Sequence, residues 1–424
     1  MARIIIDPLT RVEGHGRVEL ILRDGHLTDV QVRMLESPRL FEKMVVGRKY
    51  DDVAELVCRI CAICSAVHKL TALEAIEQAL EVDIPPLARM VRKLLLLGGH
   101  IQSHALHLYC LILPDFSGDV DVVALLKRGD PLAATGLKLK ALGNRIQEVA
   151  GGRVIHPVSP RIGGLWSRPA TEDLTSLAED LVAWQQDWPS LAQDFLAAAQ
   201  FPPAVAVAAT SLAVGASDRF DLKGDVLRVG DRLIPVADYR TILQEQTPAN
   251  SYAKDSCGTA GPFLVGALAR ARLVAGKEST AAQDDIHANN RAQIDEIGWA
   301  LNQARELTET ILATSADAPL RETPGAHKGG VGTAANEAPR GLLIHHYVID
   351  EWGHIAAADV VTPTAINQRA MREQILHDLA GQQDPVQMRA TAERIVRAFD
   401  PCISCAVHLL DAGSHDAPFS TRVL

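Results

Sequence analysis

Residues 58–64 read CRICAIC, three cysteines at two successive three-residue steps: Cys58, Cys61 and Cys64. Three thiols so placed suit part of an iron–sulfur site, half of a zinc site, or a packed core with no chemistry. A ferredoxin-type run would continue to a fourth cysteine followed by proline. Here that fourth position is His68, and no proline follows it, which disfavours the ferredoxin reading. A second cluster, DPCISCAVH at 400–408, supplies another C-x-x-C pair, Cys402 and Cys405, with His408 after it. Two C-x-x-C pairs near opposite ends of a chain make a four-thiolate site if the ends fold together. Such a site suits zinc, iron–sulfur, copper(I) or nickel. A zinc staple between the termini is the bland reading, but a large core does not need one.

The chain has 424 residues, 47% of them hydrophobic, enough for a large buried core. Its net charge of −10 argues against nucleic acid, which needs a basic footprint, and against docking on an anionic membrane. The apolar run LLLLGG at 95–100 soon meets Gln102, Ser103, His104 and His107, so no membrane span is expected. The start, MARIIIDPLTR, is too short in its apolar part for a signal peptide. These features predict a cytoplasmic protein. In a reducing compartment, clustered cysteines read as metal or redox groups and not as disulfides. Cys110, in an apolar helix, reads as a core residue, and Cys257 has no motif around it.

The N-terminus predicts a β-hairpin. RVELILRDGHLTDVQVRM at 17–34 alternates apolar residues on both sides of Asp24-Gly25. A second β-rich stretch lies near 220–240. Apolar residues at three- and four-residue steps predict helices over 66–82, 86–113, 123–149, 171–199, 283–315 and 367–398. Pro-Pro at 85–86 and 202–203 marks helix boundaries. The Gly-rich stretch 322–341 reads as a loop. The expected fold is mainly α with small β additions (α+β), with long central helices, in one large domain over 1–424.

RICAICSAVH at 59–68 and DPCISCAVH at 400–408 resemble the two signature motifs of the large, catalytic subunit of [NiFe]-hydrogenases, R-x-C-G-x-C-x-x-x-H and D-P-C-x-x-C-x-x-H. Ala62 replaces the glycine of the first motif; the second matches throughout. TRVEGHGRVE at 10–19, RLFEKMVVGRKYDD at 39–52, GGRVIHP at 151–157, EAPRGLLIHH at 337–346 and TPTAIN at 362–367 also resemble family blocks, with Leu40 where glycine is usual. The resemblance thus spans nearly the whole chain.

The resemblance implies reversible heterolytic cleavage of dihydrogen at a Ni–Fe centre whose iron carries carbon monoxide and cyanide. Cys61 and Cys402 would be terminal on nickel, with Cys64 and Cys405 bridging nickel and iron. Glu13 would relay protons beyond Cys402, since burial can raise a carboxyl pKa toward the working pH. Arg340 would lie over the metals, held by Asp115 and Asp400, and would donate toward a cyanide. Thr364 would donate to the second cyanide, and Pro339 and Pro363 would wall the iron ligands. His68 would hydrogen-bond near a bridging thiolate. Glu42 and His408 match positions that hold a magnesium ion, although a His ligand is atypical for that metal. Cys58 falls outside the motif and reads as a packed thiol.

Residues 409–424 look like a C-terminal maturation extension, removed after His408 by a nickel-dependent endopeptidase once nickel-insertion proteins have acted. An iron–sulfur small subunit is the implied partner, with further subunits that pass electrons to NAD(P) or another acceptor, as in the cytoplasmic bidirectional group. Two rivals remain: a zinc-stapled interaction protein, and a complex I-like subunit of the same fold, which the four cysteines argue against.

Overall fold

A computed structural model describes residues 2–36, 40–201, 204–215, 220–246, 251–258, 261–275, 285–325 and 329–407. His408, the extension at 409–424 and Pro202-Pro203 lie outside the described residues. The N-terminal hairpin forms as expected and gains a third strand. Ala2–Ile6, Gly16–Arg23 and His26–Met34 make an antiparallel sheet in that order. Asp24 (φ 51°) and Gly25 (φ 81°) turn the hairpin, both left-handed as a tight two-residue turn requires. Leu20 pairs with Val30 and Val18 with Val32. Ile6, Val18, Leu20 and Val30 bury one face against Met371, Ile375, Ile395 and Val396 from the last two long helices.

Long helices make the body of the molecule. Ser65–Ala79, Pro86–Ala105, Pro131–Gly151, Thr171–Ala198 and Ala288–Ala313 share one core. Three predicted helices are cut where local chemistry cuts them. The helix expected at 86–113 passes into a π-helical turn, Leu106–Ile112. Asp130-Pro131 divides 123–149 into Val122–Lys127 and Pro131–Gly151, with Asp130 accepting from Leu132 N and Ala133 N. Asp384-Pro385 divides 367–398 into Pro363–Asp378 and Pro385–Ala398 in the same way.

The stretch expected as a loop at 322–341 is corrected by the structure. Gly330–Ala338 is a nine-residue strand, paired with Gly341–Ile349, which pairs in turn with Ile355–Val361. Its glycines serve packing. A Cβ on Gly332 would stand 1.8 Å from Ala75 O, and one on Gly330 2.0 Å from Ala79 O. Only a strand without side chains there can lie this close to the helix Ser65–Ala79. The region near 220–240 forms short strands, Val226–Val229 and Arg232–Pro235, in a four-stranded sheet with Thr210–Val214 and Phe263–Leu264. Among the described residues, no helix is long and apolar enough to cross a membrane.

Candidate metal centre

The fold brings the two cysteine pairs together. Cys61 ends the 3-10 turn Cys58–Ile60, and Cys64 sits at the N-terminus of the helix Ser65–Ala79. Cys402 caps the N-terminus of a one-turn helix, Ile403–Ala406, and Cys405 lies within it. The four Sγ atoms lie within 4.8 Å of one another, all buried. Cys61 faces Cys402 at 3.4 Å, and Cys64 faces Cys405 at 2.9 Å. Hydrogen bonds from Cys402, Cys405 and Cys64 hold the Cys61 thiol well below the usual thiol range. Burial pushes Cys64, Cys402 and Cys405 up. Metal binding at such a set therefore displaces protons.

The Cys402 turn is tied to the N-terminal segment and to a helix start. Ile403 N donates to Glu13 O at 3.0 Å, Ser404 N to Glu13 Oε2 at 3.0 Å, and Cys402 Sγ to the same Oε2 at 3.2 Å. Gly14 (φ +85°) permits this contact, since a Cβ there would stand 2.8 Å from Ile403 Cβ. Burial raises the Glu13 pKa and the Cys61 charge raises it further; the Ser404 N–H and Arg340 pull it down. Thr364 Oγ1, in the first turn of Pro363–Asp378, accepts from Cys402 N at 2.8 Å.

Pro339 and Arg340 form the two-residue turn between Gly330–Ala338 and Gly341–Ile349. Arg340 Nε donates to Asp400 Oδ1 at 2.9 Å. Nη1 and Nη2 are buried without a hydrogen-bond partner among the described residues. Burial opposes the Arg340 charge, but Asp400, Cys402, Cys61 and Glu13 outweigh it and raise the pKa. A buried guanidinium beside thiols with two idle NH2 groups is a donor set aimed at a missing acceptor.

Asp115 does not hold Arg340. It pairs in bidentate fashion with Arg397 (2.9 and 2.8 Å) and takes Arg11 on the same side. Arg397 presents its fork to Asp115 from the end of Pro385–Ala398, and Arg11 leads into the Glu13 segment. Gln293 Nε2 completes the hold on Asp400 at 3.2 Å, and His107 Nδ1 meets Gln293 Oε1 at 2.6 Å. Sequence reading passed over Gln293, Arg397 and the His100, His104, His107 series. The 4- and 3-residue spacing of those histidines on one helical face was the available signal. His68 Nδ1 meets His345 Nε2 at 3.1 Å, and His345 Nδ1 meets Tyr347 OH at 2.7 Å. His345 and Tyr347 share a strand face at two-residue spacing.

Cys58 stands apart from the four thiols. Its Sγ donates to Glu55 O at 3.3 Å, and burial pushes its pKa up to about 11. Cys110 is buried in the π-helical turn. Of the two residues expected to hold magnesium, His408 lies outside the described residues; Glu42 Oε1 accepts from Lys254 Nζ at 2.6 Å and Val360 N at 2.7 Å, and Glu42 Oε2 is buried without a hydrogen-bond partner among the described residues. A cation of the protein's own holds that carboxylate.

A family model described as nickel-dependent hydrogenase matches residues 39–142 and 284–408, and a HoxL-like model matches 3–36. The alpha subunit of sulfhydrogenase 2 from Pyrococcus furiosus is 36% identical, covering 96% of this chain and 99% of that protein. The beta subunit of the NAD-reducing hydrogenase HoxS from Cupriavidus necator is 27% identical, covering 96% of this chain and 95% of that one. The solved structure of an NAD+-reducing [NiFe]-hydrogenase in the H2-reduced state superposes with a TM-score of 0.84 at 28% identity, covering 96% of this chain and all of that one.

Proposed function

The chain belongs to the nickel-dependent hydrogenase family, as its catalytic subunit, and from that premise we propose that Cys61, Cys64, Cys402 and Cys405 hold a Ni–Fe centre with carbon monoxide and cyanide on iron. The observation that carries the reading is the meeting of four buried thiols with one carboxylate and one half-satisfied guanidinium. Soft thiolates suit nickel, and the two NH2 groups of Arg340 suit cyanide nitrogen.

When bound, the centre supplies the Lewis acidity and redox capacity that polarise dihydrogen and take up its electron pair. In this reading Cys61 and Cys402 would hold the centre as terminal thiolates, and Cys64 and Cys405 would hold it as shared thiolates. Cys402 Sγ receives the proton and Glu13 Oε2, 3.2 Å away, carries it on. The raised Glu13 pKa lets that carboxyl hold a proton and release it again. Arg340, fixed by Asp400, and the Thr364 hydroxyl are the donors toward cyanide; Pro339 and Pro363 wall them. Asp115 acts at a distance, bracing Arg397 and the Arg11–Glu13 segment. His68 orients through His345 and Tyr347.

Each dihydrogen yields two protons and two electrons, and a buried centre needs a conductor. The reading therefore includes an iron–sulfur small subunit, with further subunits for NAD(P) or another acceptor, in the cytoplasm. The relatives' names, one an alpha and one a beta subunit, support a multi-subunit enzyme. Cleavage after His408 by a maturation endopeptidase, following nickel insertion, is the proposed fate of 409–424.

The test is elemental analysis and infrared spectroscopy of the purified complex. The expected result is about one nickel with iron per chain, with bands from iron-bound carbon monoxide and cyanide. Zinc alone, with no such bands, would sink the reading. An intact mass that retains the extension in active enzyme would sink the processing step.

A further inference from the structure

Away from the thiols, three carboxylates converge on one buried ammonium. Oxygens of Glu42, Glu245 and Asp359 lie within 4.8 Å of one another, the arrangement of a divalent cation site. Lys254 Nζ fills it, 2.6 Å from Glu42 Oε1, 2.7 Å from Glu245 Oε2 and 3.6 Å from Asp359 Oδ1. The Lys254 side chain is 2% exposed. An ammonium carries three donors and no acceptor, so three carboxylates match it.

Every part of the cluster is held by separate elements. Glu42 rides on the short helix Phe41–Val45 and also takes the Val360 N–H. Glu245 lies on Leu243–Gln246, which pairs with Asp255–Gly258 just after Lys254, and its other oxygen takes the Ser256 hydroxyl at 3.1 Å. Asp359 lies on Ile355–Val361, and its second oxygen is taken by Tyr239 OH and Arg240. The Lys254 carbonyl accepts from Gln368 Nε2. The lysine thus joins a helix, a two-stranded ribbon and the edge of the central sheet.

We propose that the Lys254 ammonium takes the place of the divalent cation expected beside Glu42, so that this chain neutralises the Glu42, Glu245 and Asp359 carboxylates with a side chain and binds no magnesium there. The family assignment supplies only the expectation of an ion; the geometry stands without it. Magnesium needs oxygen ligands at about 2.1 Å, and on these oxygens it would collide with Nζ. Glu42 Oε2 is buried without a partner among the described residues. An ion there would face the ammonium across one carboxylate group, like charge against like.

The test counts magnesium and nickel in one digest of the processed holoenzyme, desalted into metal-free buffer. The expected result is nickel with magnesium below about one-tenth of it. One magnesium per nickel would overturn the proposal, whereas absent nickel would sink the hydrogenase centre and leave this count to stand by itself. A second arm uses Lys254→Gln and Mn2+, read by electron paramagnetic resonance. Mn2+ binding at least about tenfold tighter than in the unaltered protein is expected once the ammonium is gone. A nickel-loaded Lys254→Gln protein that binds Mn2+ no better would overturn the equivalence of lysine and metal. If that variant fails to load nickel, the magnesium count on the unaltered protein decides.

Discussion

One oxygen, Glu13 Oε2, accepts from both the Cys402 Sγ and the Ser404 N–H, at 3.2 and 3.0 Å. The carboxylate is therefore locked to the backbone turn that carries the thiol, and its distance to sulfur does not depend on a flexible side chain. Glu13→Gln keeps an oxygen for Ser404 but removes the titrating group. Loss of positioned acid–base transfer costs roughly 10²–10⁴-fold, and hydrogen uptake with an artificial electron acceptor should fall in that range at unchanged nickel content. Undiminished turnover in this variant would rule Glu13 out of the proton path.

The cysteines divide by geometry. Cys58 donates to Glu55 O outside the four-thiol group, and a serine hydroxyl can make the same bond. Cys58→Ser should keep its nickel. Cys61→Ser or Cys64→Ser replaces a soft thiolate by a hard hydroxyl, and nickel should drop below about a tenth of the normal count. Metal counting on the three purified variants checks both halves.

What the sequence made legible was local chemistry. Cysteine pairs at fixed spacing and Asp24-Gly25 at the hairpin each act within a few residues, whereas Asp130-Pro131 and Asp384-Pro385, equally local, divide helices expected to run unbroken. Which carboxylate meets which guanidinium is a tertiary matter, so Asp115 could be assigned to Arg340 when it in fact pairs with Arg397. Lys254, in an ordinary SYAKDS stretch, gave no signal at all. The two departures from family glycines also differ in kind. Leu40 adopts φ 51°, ψ 35°, where glycine is favoured, whereas Ala62 is not among the left-handed residues. Only the first carries backbone strain.

Buried histidine makes the protein sensitive to acid. His100 Nε2 meets Glu337 O at 3.0 Å, and burial, aided by Arg270 and His104, pushes its pKa from 6.5 down to about 3. The unfolded chain therefore binds the proton first. Stability from this group is complete above pH 6.5 and is lost as pH falls toward 3, at about 1.4 kcal/mol per unit. By pH 5 the loss is about 2 kcal/mol. His100→Gln can still donate to Glu337 O without titrating. Its thermal midpoint, measured by calorimetry between pH 7 and 5, should fall less steeply than that of the unaltered protein; parallel slopes would exclude His100 as the source.

Gly332 links the sheet to the metal centre. A Cβ there would stand 1.8 Å from Ala75 O and 2.8 Å from Ala79 N, both backbone atoms that cannot rotate away. Gly332→Ala must therefore lift the strand Gly330–Ala338 from the helix Ser65–Ala79. That strand runs into the Arg340 turn, and that helix starts at Cys64 and carries His68. Overpacking of this kind costs about 1–3 kcal/mol and sometimes more. The variant should lose thermal stability and load less nickel, although Gly332 touches no thiol. Gly325→Ala is the control, since a Cβ there meets nothing within 4 Å, and its effect should stay within about 0.5 kcal/mol. If both variants melt alike and load nickel alike, close helix–strand approach is not what places Arg340 over the thiols.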